Sequence, residues 1–127
     1  MKIGVDEARE YFAHPSQRRF GLAPDDLPEG IEYWARGPVC GAFHQAFWPG
    51  VWMGHFGVKP EGWGRLVVPA KEVIAEFSKA LRPARIIGWV ESDNAAAIAF
   101  TKRLGFKIDG KMDPPGVIMF GLDTTWQ

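Results

Sequence analysis

The sequence predicts an α+β fold in three layers, a mixed sheet with helices against its faces. Three observations predict it. Residues 31–58 fall into three β-rich runs separated by tight turns. The apolar period then becomes helical over residues 67–81. A nearly continuous apolar run at 84–90 and a second helical stretch at 94–104 follow, before two more β-rich runs. The order is a meander followed by β-α-β-α-β-β, with a short helix in front. The third strand, the long helix and the fourth strand form a right-handed crossover, which makes those two strands parallel.

Each element has a local reason. Asp6 to Phe12 reads as a short helix with Asp6 as its cap and with Tyr11 and Phe12 turned inward. Gly21 to Gly30 is rich in Pro, Asp and Gly and reads as a loop, so residues 1–30 form an irregular N-terminal part. Ile31–Arg36, Val39–Trp48 and Val51–Val58 are strands, divided by Gly37-Pro38 and Pro49-Gly50. Gly54 and Gly57 inside the third strand predict either a bulge or the close approach of another group. Ala70, Val73, Ile74, Phe77 and Leu81 stripe one face of a helix that starts near Pro69 and stops before Pro83. Ala84 to Val90 has the look of a strand covered on both faces. Asn94 to Leu104 is a helix capped by Asp93 or Asn94 and stopped by Gly105. Phe106–Asp109 and Val117–Leu122 are the last strands, joined through Pro114-Pro115-Gly116.

Composition excludes several classes of function. A chain of 127 residues fits one domain over 1–127. Fifteen basic residues balance fifteen acidic ones, so a general nucleic-acid footprint and a polybasic membrane surface are both absent. The single cysteine, Cys40, cannot make an internal disulfide, and it reads as a small buried apolar residue in a reducing, cytoplasmic setting. No apolar run has the length of a membrane span, and Met1 to Asp6 lacks the features of a signal peptide. His14, His44 and His55 have no ligand-spaced partner, so no metal site is expected.

Chemistry is expected at two junctions between a strand and a helix. Val58 to Val68 leads into a helix N-terminus, where unpaired N–H groups and the helix dipole favour a phosphate. Gly62 and Gly64 permit close approach, and Arg65 adds a cation; a plain connecting loop is the alternative. The second junction runs from Val90 to Phe106. Its pattern V-x-x-x-N-x-x-A-x-x-F-x-x-x-x-G-F resembles the fourth-helix signature of the GNAT family of N-acetyltransferases. Val58, Pro60 and Gly64 are similar to that family's strand-loop-helix motif, V-x-P-x-x-x-G.

The resemblance covers the chain from about Ile31 onward, and it implies an acetyl-CoA-dependent transfer to an amine by direct attack in a ternary complex. It implies that strands Val51–Val58 and Ala84–Val90 splay, with the pantetheine arm of acetyl-CoA between them. Phe56, Gly57 and Val58 would pair with the arm. Trp63, Gly64, Arg65, Leu66, Val67 and Val68 would hold the pyrophosphate, and Asn94 and Phe100 would touch the arm. Only Gly64 of the family's [QR]-x-x-G-x-[GA] loop is kept, and Thr101 stands where a tyrosine is common. A threonine hydroxyl could hydrogen-bond the sulfur but is a poor proton donor.

Acyl transfer to an amine needs a proton acceptor and donors for the developing oxyanion. The N–H groups near Gly57 or Val58 could supply the donors. His55, with its ordinary pKa near ~6.5, is the first candidate acceptor and Glu91 the second. The packed-residue alternatives stay open for both. The tryptophans at 34, 48, 52, 63, 89 and 126 fill core or edge, or line an acceptor pocket or an interface. Trp63 could stack on adenine or block the site. The expected partners are acetyl-CoA and an amine acceptor, with a homodimer left open and neither nucleic acid nor membrane. The competing expectation is a catalytically degenerate relative serving structure or assembly, since compact relatives of this kind are encoded by bacteriophages.

Overall fold

The computed structural model describes residues 1–15 and 30–124. Its strands are β1 (Lys2–Ile3), β2 (Glu32–Arg36), β3 (Val39–Gln45), β4 (Val51–Val58), β5 (Arg85–Glu91), β6 (Lys107–Met112) and β7 (Val117–Asp123). The helices are α1 (Val5–Arg9), α2 (Val67–Leu81) and α3 (Ala95–Arg103), with 3-10 turns at Glu10–Phe12 and Pro60–Gly62. The strands form one sheet in the order β1-β2-β3-β4-β5-β7-β6. All neighbours are antiparallel except β4 and β5, which the α2 crossover makes parallel. The expected order is present, with β1 as an addition too short to read from periodicity. The predicted loop before Gly30 and Trp126 lie outside the described residues.

Alternation along the strands divides the core in two. On one face Phe43, Trp52, Ile86 and Phe120 pack beneath α2, which contributes Ala70, Val73, Ile74 and Phe77. Phe43 and Phe77 stack with ring centroids 3.9 Å apart, at the centre of this layer. On the other face Tyr33, Ala35, Cys40 and Ala42 meet Ala8, Tyr11 and Phe12. Burial pushes the Cys40 thiol up to about 12, which leaves it an inert packing group.

Three local expectations are corrected, and one pair of alternatives, a bulge or a close approach in β4, is decided. Gly4 precedes α1 without a side-chain cap, and Asp6 sits in the first turn, where its charge favours the helix dipole. The β3–β4 register runs unbroken from Val39↔Val58 to Gln45↔Trp52, so β4 carries no bulge; the irregularity lies between Ile108 and Gly110. β3 ends at Gln45, short of Trp48, because Ala46 to Gly50 turn into β4. In β5 only Ile86 is fully buried, and Gly88 to Glu91 border an open cleft rather than a second packed layer.

Close approach explains Gly57. A Cβ there would stand 2.8 Å from three atoms of the Phe12 ring. We expect Gly57→Ala to cost ~1–3 kcal/mol of stability through overpacking, read as a lower midpoint in urea with an unchanged slope.

Candidate functional site

The hydrogen bonds around β4 decide which main-chain groups face which neighbour. Val51 donates its N–H to Trp48 O, and its carbonyl accepts from Ala46 N–H. Lys59 donates to Pro38 O. The odd-numbered residues of β4 therefore point their main chain at β3. The even-numbered ones point it at β5, as the Ala84 N–H donating to Gly50 O confirms at 2.7 Å.

β4 and β5 then stop pairing. Their register holds for Val51↔Arg85, Trp52↔Ile86 and Met53↔Ile87, and no further. Gly54 and Gly88 stand at the junction, where a Cβ on Gly88 would lie 3.3 Å from Gly54 O and otherwise meet open space. Beyond it the main-chain groups of Phe56 and Val58 face the cleft. On the β5 side, Thr124 N–H donates to Ala84 O and Ser92 N–H donates to Gly116 O. The same alternation thus turns Trp89 and Glu91 toward β4.

The cleft opens into a mainly apolar cavity of about 420 Å³, roofed by α3. Asn94 caps that helix: its Oδ1 accepts from Ala97 N–H at 3.1 Å, which leaves the Nδ2 amide group as a donor. Phe100 meets Phe56 edge to face, with centroids 6.0 Å apart. Thr101 Oγ1 donates to Ala97 O at 2.7 Å, so its hydrogen is spent within the helix. No residue of α3 is fully buried, because its inner side lies over the cavity. Asn94→Ala is expected to lose ~1 kcal/mol of stability with the cap, whereas Asn94→Asp keeps the acceptor and loses only the donor. Urea melts on the two variants separate these effects.

His55 and Glu91 both line the cavity. His55 is only 7% exposed. Its ring stacks on His44 at 5.6 Å and meets Trp89 edge-on at 6.5 Å. Burial pushes the imidazole down to about 4, and His44 presses the same way. The expectation of a histidine titrating near neutrality is therefore corrected: this one is neutral throughout the physiological range. Glu91 lies at the end of β5 and also borders a second hollow, of about 510 Å³, with Ser92, Asp93, Lys111 and Asp113.

The structure gathers Phe56, Val58, Leu66, Asn94, Phe100 and Thr101 around one cavity with His55 and Glu91. Gly57 does not join them, because its main chain faces Cys40 and its α-carbon faces Phe12. Trp63, Gly64, Arg65, Val67 and Val68 lie outside the cavity. They surround the start of α2, where Gly64 has a φ of +89°, open to glycine without strain. No side chain caps α2, Pro69 lacks an N–H, and no main-chain carbonyl among the described residues accepts from Leu66, Val67 or Val68. Trp63 is 51% exposed with His14 edge-on at 4.9 Å, and it does not plug the cleft. Residue reasoning missed Gly88 as part of the site, and it gave Trp89 only as one of six tryptophans that fill core or edge or line an acceptor pocket. The signal was present, as a glycine at matching depth in each of two strands expected to be parallel.

No protein-family model matches the sequence, and no curated protein matches it. Solved structures do. The chain is similar to a GNAT-family acetyltransferase from Bacillus anthracis at 14% identity and a TM-score of 0.58, over 68% of this chain and 58% of that one. It is similar to the ribosomal-protein-S5-alanine acetyltransferase from Vibrio fischeri at 13% identity and a TM-score of 0.70, over 100% of this chain and 93% of that one. A Salmonella typhimurium protein assigned to the acetyltransferases, solved with its cofactor acetyl-CoA, matches at 17% identity and a TM-score of 0.58. That match covers 74% of this chain and 65% of the other. The chain thus spans less than two thirds of the first and third of these relatives. At such identities the likeness is one of architecture: the chain has the mixed-sheet fold of the GNAT acetyltransferases.

Proposed function

We propose that the protein transfers an acetyl group from acetyl-CoA to an amine by direct attack in a ternary complex. The observation that carries the reading is the unzipped edge of β4. Phe56 and Val58 present main-chain donors and acceptors to an apolar slot, which suits a slender arm of alternating amides and methylenes that adds as an extra strand. The uncapped start of α2, with Gly64 and Arg65 beside it, suits the diphosphate of the same molecule. When bound, acetyl-CoA supplies an activated thioester carbonyl.

The chain's own groups do the rest. Val58 N–H, rather than that of Gly57, faces the cleft and can donate to the ligand there. Asn94 offers its Nδ2 to the arm. Glu91 stands between the cavity and the second hollow, a placement suited to drawing in an ammonium group. His55, kept neutral by burial, can accept a hydrogen bond from the attacking nitrogen, and Glu91 can take the proton that the nitrogen sheds as its bond to carbon forms. Calorimetry with acetyl-CoA, followed by a free-thiol assay across a panel of amines, tests the reading. The expected result is saturable binding and amine-dependent thiol release. No binding at millimolar acetyl-CoA would remove it.

One observation favours a second reading, a binding fold without turnover. Thr101 spends its hydroxyl hydrogen on Ala97 O and has none to give a departing thiolate. Binding without thiol release from any amine is the result that would select this reading.

A further inference from the structure

We propose that the end of the molecule opposite the mouth of the cleft docks on an anionic lipid surface through the aromatic tip of the β3–β4 turn. The proposal is independent of the acyl-CoA reading. Phe47 is 93% exposed and Trp48 61%, side by side in the turn, with ring centroids 5.9 Å apart. The turn is braced: Ala46 N–H donates to Val51 O, Val51 N–H to Trp48 O, and the N–H groups of Ala84 and Arg85 both donate to Gly50 O. The rings therefore stand out from a fixed base. The topology gathers cations at the same end. β3 ends there, β4 and β5 begin there with Val51↔Arg85, β7 ends there with Arg85↔Asp123, and β6 begins there with Lys107↔Gly121. α2 and α3 finish there too, since they lead into β5 and β6. Lys79 and Arg82 close α2, Lys102 and Arg103 close α3, and Lys107 opens β6. All five are exposed, and none makes an ion pair among the described residues. The acids of the adjoining strands, Asp109 and Asp123, are both held by Arg85. The zero net charge of the chain averages over this segregation. Apolar rings set before unpaired cations match a lipid interface, where aromatic side chains enter the headgroup boundary and cations meet acidic headgroups. Other occupants fit less well. The two rings lie at 81° to each other, which gives successive bases no common platform to stack on. A second copy related by a twofold axis would bring like cations face to face. Docked by this end, the protein keeps its cleft clear of the surface, because Val58 stands roughly 23 Å along β4 from Val51.

The test is co-sedimentation with vesicles of phosphatidylcholine alone and of an equimolar mixture with phosphatidylglycerol, at low salt. It compares the wild type with the double variant Phe47→Ser, Trp48→Ser and with Lys79→Gln and Arg82→Asn. Asparagine is chosen at 82 because the φ there is +48°, which asparagine tolerates. The wild type is expected to partition at least ~10-fold more strongly onto the anionic vesicles, and added salt should shrink the difference. The double serine variant should lose ~10-fold or more of that partition. Each cation variant should lose about fivefold. These side chains are exposed, so every variant should keep the wild-type urea midpoint, which separates lost partition from lost folding. No partition onto anionic vesicles, equal partition onto both kinds, or a serine variant that partitions like the wild type would overturn the proposal. A single-stranded oligonucleotide that binds through Phe47 and Trp48 while vesicles do not would overturn it in favour of a nucleic acid.

Discussion

Gly88→Val is expected to cut the affinity for acetyl-CoA by about a hundredfold or more while leaving the protein folded. A valine here puts its β-carbon 3.3 Å from Gly54 O and has no other atom within 4 Å of that carbon beyond its chain neighbours. The branch then projects into the inner end of the cavity, where the splayed strands meet. Valine is also at ease in extended backbone, so the strand itself does not suffer. The stability cost is confined to one tight contact, about 1 kcal/mol by the usual scale of overpacking. The effect on binding is larger, because a preformed slot has no other way to seat the thioester end. Calorimetry and a urea melt on the same preparation separate the two. Strong destabilisation with normal affinity in the folded fraction would contradict the placement of the site.

The second large effect is on stability against pH. Native His55 titrates near about 4, whereas an unfolded histidine titrates near ~6.5. Between these values the unfolded chain binds a proton that the native protein refuses. Stability from this group is thus fully present above pH ~6.5, falls as the pH drops, and levels off below about 4. The whole effect is about 3 kcal/mol, most of it lost by pH ~4.5. His55→Gln removes the titrating ring. Its stability should fall less between pH ~7 and ~4.5 than that of the wild type, by about 2 kcal/mol in urea melts. The wild type and the variant losing the same amount would mean that the ring is not held neutral by burial. The same logic applies to rate: His55 should put no inflection into a pH–rate profile between pH ~5.5 and ~8.

Much of the architecture was legible because it depends on local periodicity. The turns at Gly37-Pro38 and Pro49-Gly50 bound the meander. The stripe from Ala70 to Leu81 marks the face of α2, and Asn94 and Gly105 bracket α3. What was not legible depends on partners distant in sequence. An apolar strand beside a ligand cleft has the same composition as one buried on both faces, so β5 read as fully covered. Gly57 read as a cleft residue because the direction of its main chain is set by the β3 register, which no local pattern reveals. The basicity of His55 could not be read either, since it depends on Trp89 and His44 arriving from other strands. Gly54 lies between these cases. Its type was suggestive, and its reason, Phe43 beneath and Gly88 beside, is tertiary.

The most direct test of the site is amide hydrogen exchange at Phe56 and Val58, with and without acetyl-CoA. Both N–H groups face the gap and have no strand partner there, so they should exchange freely in the protein alone and slow by at least ~10-fold when the arm pairs with them. The amides of His55 and Gly57, already turned to β3, should change far less. Protection of Phe56 and Val58 before any ligand is added, or no slowing when acetyl-CoA saturates the protein, would contradict the account.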